Sequence, residues 1–192
     1  MKAPAFWDRP AGLAARALAP LGARVGLVDA AKHAMARPAR AGLPVICVGN
    51  PTVGGAGKTP TVLALVERLG ARGEVPFVLS RGHGGSVRGP HLVDPARDTA
   101  AEVGDEPLML AARVPVIVGA DRAAGAALAR AGGASVLVMD DGLHNRTLAK
   151  DAVIAVVDGA AGFGNGFVLP AGPLRGFLAT VTPAIDLALV VG

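Results

Sequence analysis

Gly57, Lys58 and Thr59 close a glycine-rich run, Gly49-Asn50-Pro51-Thr52-Val53-Gly54-Gly55-Ala56, and that order of residue types points to one kind of chemistry. A loop that wraps phosphates turns backbone N–H groups inward, which glycine permits. A helix starting near Thr59 adds the positive end of its dipole. Lys58 is then placed for the terminal phosphates of a nucleotide, and the Thr59 hydroxyl for Mg²⁺. The strict pattern G-x-x-x-x-G-K-[ST] asks for glycine at position 52, where this chain has Thr52. The competing reading is a glycine-rich turn with an accidental Lys-Thr. Against it stand an apolar strand before the loop (44–48) and a helical segment after it (59–72).

A second element supports the first. Val136-Leu137-Val138-Met139-Asp140 reads as an apolar strand ending in a carboxylate, followed by Asp141. Such a strand holds the metal of many phosphoryl-transfer sites. Capping a following helix is the competing role for either aspartate. Lys58, Arg81 and Asp140 all fall just past predicted strand ends, where open α/β sheets gather their ligands.

Short Val/Ile/Leu strands at 44–48, 75–79, 91–93, 114–118, 135–139, 153–157 and 187–191 must position these groups. Helical segments at 59–72, a short one after Gly104-Asp105-Glu106-Pro107 through Ala112, and 120–131 lie between them, which indicates a mostly parallel sheet covered on both faces. The expected fold is a P-loop NTPase-like three-layer α/β/α domain over 43–192, with 162–176 as a long Pro/Gly-rich loop. An N-terminal amphipathic helical segment, 1–42, precedes it. Within that segment two helices broken near Pro20 are predicted, with Leu18, Leu21, Val25 and Val28 as the apolar stripe.

Composition narrows the function. Aromatic residues are 3% of the 192 and tyrosine is absent, which argues against base stacking, and the basic stretch is Ala-rich without interleaved aromatics. Nucleic-acid binding is therefore not expected. Residues 1–40 carry seven basic side chains against Asp8 and Asp29, so the net charge of +4 belongs to the N-terminus. With Phe6 and Trp7 at its front, that segment has the makings of an interfacial membrane helix; a helix packed on the domain with a solvated basic face is the alternative. No apolar run is long enough to span a bilayer, and Asp8, Arg9 and Pro10 interrupt any signal-peptide core, so a cytoplasmic placement is expected. The single Cys47 lies in an apolar strand and reads as a buried thiol. Nothing in the sequence fixes an oligomeric state.

Five segments in order resemble the tetraacyldisaccharide 4'-kinase family: Val48 to Pro60, Ser80-Arg81-Gly82-His83-Gly84-Gly85, Gly104-Asp105-Glu106-Pro107, Asp140-Asp141-Gly142, and Leu169-Pro170-Ala171-Gly172-Pro173-Leu174-Arg175. The resemblance implies ATP, Mg²⁺ and transfer of the γ-phosphoryl group to the 4'-hydroxyl of a tetraacylated glucosamine disaccharide 1-phosphate, a step of lipid A biosynthesis. It implies peripheral association with the cytoplasmic face of the inner membrane. Asp105 matches the catalytic carboxylate, with Lys58 assisting transfer. Thr52, Val53, Gly54, Gly55, Ala56, Gly57, Lys58 and Thr59 match the nucleotide loop, and Arg81, Arg122 and Arg175 match basic groups facing phosphate. Thr59, Asp140 and Asp141 match the metal site.

Three departures stand out. His144-Asn145 replace the family's Gln-His, so His144 carries no catalytic expectation and polar capping is the default there. Gly176 replaces the glutamate that usually follows Pro-Leu-Arg. The family's second, smaller domain bears an Asp-His-His segment with no counterpart here, so the resemblance implies the N-terminal domain, as a fragment, split product or truncated gene. A nucleotide-binding half-molecule without turnover is thus one alternative. Another P-loop ATPase or small-molecule kinase is a second; a GTPase would call for an Asn-Lys-x-Asp segment, which does not occur.

Overall fold

The computed structural model describes residues 3–54 and 57–192. They gather into two compact units. One comprises 37–49 and 58–153, the other the residues up to Ala36 with 50–57 and 154–192.

The 37–49/58–153 unit is built on a sheet of β1 (Val45–Gly49), β2 (Pro76–Ser80), β3 (His91–Leu92), β4 (Val116–Val118) and β5 (Val136–Asp140). Their order is β3-β4-β2-β5-β1, all parallel except β3. Each parallel strand is buried almost throughout, which is why it reads as an unbroken apolar run rather than an alternating one. Helix α2 (Lys58–Gly70) buries Val62 and Val66. Helix α5 (Arg122–Ala131) comes close to the sheet because Gly125 has no side chain: a Cβ there would stand 2.6 Å from a Leu79 methyl. Between β3 and β4 lie α3 (Ala100–Val103) and α4 (Asp105–Ala111), separated by Gly104; the short helix expected after Pro107 already begins at Asp105, and α3 was not expected.

In the other unit, β6 (Ala152–Asp158) pairs in parallel with β7 (Leu187–Val191), Ile154 opposite Leu187. A short α6 (Leu178–Val181) precedes β7. Residues 159–177 form a looping segment held largely by turns, as expected. The N-terminal helix departs from expectation. It is one helix, α1 (Leu13–Ala34), running through Pro20. Proline removes one N–H from the ladder, but this one is exposed and the helix continues on the strength of its packed face. That face consists of Ala15, Gly22 and Gly26. Gly22 lies directly against the Val168 carbonyl, and a Cβ on Gly26 would meet the Phe177 ring at 2.5 Å. The large apolar residues point the other way: Leu21 is 51%, Val28 54% and Met35 80% exposed. The apolar stripe read from the sequence is therefore mostly outward. Close approach through small residues holds the helix, with no large hydrophobic seam.

This geometry sets an expectation for stability. Gly26→Val should cost about 1–3 kcal/mol by overpacking against Phe177, seen as a Tm several degrees lower. Leu21→Ser, on the opposite face, should leave Tm nearly unchanged, and thermal unfolding of both variants checks the assignment of faces.

Candidate functional site

Most of the chemically competent side chains belong to the 37–49/58–153 unit and lie at the carboxyl ends of its strands. Asp140 ends β5 and Asp141 begins the turn after it. That turn is fixed from several sides. Gly49, at the end of β1, lets it cross overhead, since a Cβ at 49 would be 2.7 Å from that of Leu143. Gly142 rests on the sulfurs of Met139 and Cys47, with no room for a side chain. The Gly142 N–H donates to the Val48 carbonyl (3.4 Å), and the largely buried Lys150 Nζ donates to the Leu143 carbonyl (2.9 Å). Between them Asp141 adopts φ +51°, the one left-handed backbone among the described non-glycine residues. Such a conformation persists where its surroundings impose it.

The electrostatics follow from this placement. Asp140 is 2% exposed, and its Oδ1 has no hydrogen-bond partner among the described residues. Burial pushes its carboxyl up to about 6; the charges of Glu106 and Asp141 add to the rise, and Lys58 and Arg122 oppose it. Lys58, the first residue of α2, brings Nζ to 3.9 Å from Asp141 Oδ1. Thr59 follows it, half-buried. Arg122 begins α5 immediately after Asp121, whose side chain caps the helix by accepting from the N–H groups of Ala123 and Ala124 (3.0 Å each). Arg122 is itself buried, and its Nη1 donates to the Gly119 carbonyl at 3.2 Å. Burial first, then the neighbouring Arg81, lowers its pKa to about 10, against the pull of Asp140 and Asp141. Arg81 is exposed, one residue past β2.

Asp105 and Glu106 form the first turn of α4, exposed. The segment is placed by glycines again. Gly104 has φ +94° and sits where a Cβ would be 2.7 Å from the His83 carbonyl, so the Ser80–Gly85 loop docks directly on the start of α4. Backbone bonds from Ser86 to Ala101 (3.0 Å) and Val87 to Glu102 (2.9 Å) continue that docking. Thr99 and Glu102 close a capping box on α3. Glu106 was not singled out from the sequence, yet it is the leading charged contributor to the Asp140 shift. The signal for it was present as the second acid of Gly104-Asp105-Glu106-Pro107. Asn145 Oδ1 accepts from the Thr147 and Leu148 N–H groups (3.1 and 3.3 Å), the capping role expected of that departure.

The loop residues Thr52, Val53, Gly54 and Gly57, with Arg175, belong to the other unit; Gly55 and Ala56 lie outside the described residues. Buried Asn50 organises the loop, its Nδ2 donating to the Gly54 carbonyl (3.2 Å) and Thr52 Oγ1 (3.4 Å). Gly54 and Gly57 have positive φ, at +126° and +79°. Thr52 instead makes a β-bridge to Leu174, so a β-branched residue suits the position where the strict motif has glycine. The Val53 N–H donates to the Pro173 carbonyl (2.8 Å) and the Arg175 N–H to the Pro51 carbonyl (3.0 Å), which ties Arg175 to the loop.

Comparison with known proteins bears on this arrangement. The family model described as Tetraacyldisaccharide-1-P 4'-kinase matches residues 14–191. The chain belongs to that family. A tetraacyldisaccharide 4'-kinase of Nitrobacter hamburgensis is 58% identical over 192 residues, which is all of this chain and 57% of that protein. One from Rhodopseudomonas palustris is 56% identical over 193 residues, again covering 100% and 56%. The chain thus spans about 57% of the length of the curated family members it matches. Among solved structures, that of LpxK from Aquifex aeolicus in complex with ATP superposes with a TM-score of 0.82 at 28% identity, covering 92% of this chain and 58% of that one. The mostly parallel α/β fold is therefore the one this family uses.

As for what the cluster can hold, Thr59, Asp140 and Asp141 offer only hard oxygen donors, and one of them is a buried carboxylate oxygen with no partner among the described residues. Mg²⁺ is commonly bound through one or two carboxylates together with phosphate oxygens and water, so this donor set fits it. Cys47, by contrast, is fully buried behind the turn, and burial pushes its thiol up to about 11. At pH 8 it should react with a disulfide reagent on the order of 100-fold more slowly in the folded protein than in denaturant. A stopped-flow thiol titration measures this, and a fast native reaction would mean that the packing behind Asp140 is open.

Proposed function

We propose that this chain binds ATP with Mg²⁺ and serves the transfer of its γ-phosphoryl group to the 4'-hydroxyl of a tetraacylated glucosamine disaccharide 1-phosphate. The observation that carries this reading is the cluster in which the Lys58 ammonium faces Asp141 at 3.9 Å beside a buried Asp140 carboxylate oxygen without a partner among the described residues. Membership of the 4'-kinase family supports the choice of acceptor.

Phosphoryl transfer asks a protein mainly to position groups and to balance charge. Lys58 and the loop N–H groups are assigned to the nucleotide phosphates. Arg81, Arg122 and Arg175 are assigned to phosphate charge on nucleotide or acceptor; the desolvated guanidinium of Arg122 suits such a role, because a cation short of water gains most from an anionic partner. Thr59, Asp140 and Asp141 would hold Mg²⁺. When bound, the ion would neutralise the negative oxygens flanking the bond that breaks. Asp105 is assigned to accept the proton of the attacking hydroxyl; exposed at the start of α4, it is free to meet a substrate.

The same proposal covers location. Residues 1–42 act as the membrane-interface segment of the kinase domain 43–192. Among the described residues no helix is long and apolar enough to cross a membrane. The outward face of α1 instead combines Leu13, Leu21, Val28 and Met35 with Arg24 and Lys32, apolar groups for the acyl boundary beside cations for anionic headgroups. This fits peripheral binding at the cytoplasmic face of the inner membrane.

Two measurements test these assignments. In calorimetric titration with ATP and Mg²⁺, Lys58→Ala should weaken binding on the order of 100-fold, whereas Asp105→Ala should leave affinity within about threefold because its task is the acceptor proton. Unchanged affinity in Lys58→Ala would remove the phosphate-loop assignment. In vesicle flotation with anionic lipid, Leu21→Ser/Val28→Ser should lower the bound fraction severalfold at unchanged Tm; equal flotation would return α1 to a purely structural role.

A further inference from the structure

The amino ends of β2 and β4, at the opposite edge of the sheet from Asp140, frame an open cleft of about 490 Å³. Leu63 and Val66 of α2 form one wall, Val75 and Pro76 a second, Val114 and Pro115 a third. Gly70, the last residue of α2, keeps the cleft open, because a Cβ there would have no atom within 4 Å. The volume falls within the roughly 300–1,000 Å³ of pockets that hold small molecules. The cleft is remote from Lys58, since α2 runs about 18 Å from Lys58 to Gly70.

Its polar groups are unequal in kind. Pro76 and Pro115 bring no backbone N–H to the wall. Among the described residues lining the cleft Arg113 is the one cation, and its Nη1 stands 3.6 Å from Glu67 Oε1, both side chains largely in solvent. Glu74 is held more firmly. Ser135 Oγ–H donates to Glu74 Oε2 at 2.5 Å, and the same Oγ accepts from the Val75 N–H at 2.8 Å. The Ser135 N–H donates in turn to the Val75 carbonyl at 3.0 Å, so the two segments fix each other. A carboxylate offers about four lone-pair sites, of which Ser135 takes one. With Glu67 set against Arg113, Glu74 leaves the cleft net negative and with acceptors to spare.

We propose that this cleft is a second binding site of the molecule, for a small amphiphilic cation. Its apolar body lies against Leu63, Val66, Val75 and Val114, and its ammonium donates to the Glu74 carboxylate. Aliphatic walls take the body out of water, and an ammonium, with three donors and no acceptor, matches what Glu74 has to offer. An anion would meet Glu74 as a like charge, and a neutral body lacks the ionic hydrogen bond. Such a ligand braces the carboxyl end of α2, the helix whose first residues are Lys58 and Thr59, without occupying the phosphate loop.

The test uses phenylbutylamine as probe, with phenylbutanol and phenylbutyrate as neutral and anionic matches, followed by methyl NMR of the full chain at low ionic strength. The amine should shift the Leu63, Val66, Val75 and Val114 methyls saturably and bind about tenfold more tightly than either match. Glu74→Gln, which keeps an acceptor for Ser135, should bring the amine down to the affinity of the alcohol. Gly70→Leu places a side chain in the cleft without collision and should abolish amine binding at a Tm close to wild type. Saturating ATP·Mg²⁺ should leave the amine shifts in place. The proposal is overturned by an amine that gives no saturable shift, by equal affinity for all three probes, or by tightest binding of the carboxylate. An unchanged preference in Glu74→Gln, retained binding in a folded Gly70→Leu, or displacement by ATP overturns it equally. Should Gly70→Leu not fold, Glu74→Gln decides alone.

Discussion

A carboxylate held out of water at the end of a central strand constrains everything around it. Asp140 is almost fully buried, one of its oxygens has no hydrogen bond among the described residues, and the acids Glu106 and Asp141 raise its pKa further. Burying an ionised group without compensation costs several kcal/mol, and a chain selected only for stability would place an apolar residue there. The surroundings make sense as a site completed by positive charge. Lys58 and Arg122 supply part of it from within the protein, and a divalent cation with nucleotide phosphates would supply the rest.

Glycine does much of the positioning. The Asp140–Leu143 turn lies against Gly49 and Gly142, α4 begins where Gly104 meets the His83 carbonyl, and α1 lies against the 168–177 segment through Gly22 and Gly26. In each case the absence of a Cβ lets a backbone approach to a distance that a larger residue would prevent. Charged side chains are thereby carried on rigid, closely packed segments, and phosphoryl-transfer chemistry rewards such preorganisation.

How legible this was from sequence depended on the kind of signal. The seven strands were apparent as short apolar runs; for β4 and β5 burial on both faces demands this, whereas β7 is just as apolar yet exposed along its length. The phosphate loop and the Asp140-Asp141 pair could be proposed because the chemistry assigned to them requires fixed residue types at fixed spacing. Helix α1 was misread in one respect: Pro20 looked like a break, although an exposed proline costs the helix a single N–H. Its inner face, Ala15, Gly22 and Gly26, leaves no hydrophobic period and so could not be read from the sequence. Glu106 escaped because its effect on Asp140 depends on the folded placement of α4, which no motif spells out. Thr52 read as a flaw in the motif until its bridge to Leu174 gave the β-branched residue a place.

The most direct test of the central claim uses Asp140→Asn, an isosteric change that removes the buried charge. If the carboxylate is held there to bind a cation with ATP, the nucleotide-free variant should be at least as heat-stable as wild type, with the same or a higher Tm. Its affinity for ATP in the presence of Mg²⁺ or Mn²⁺ should nonetheless fall on the order of tenfold or more. A lower Tm together with unchanged metal-dependent ATP binding would contradict the account, since it would make Asp140 a structural residue whose charge the fold itself requires.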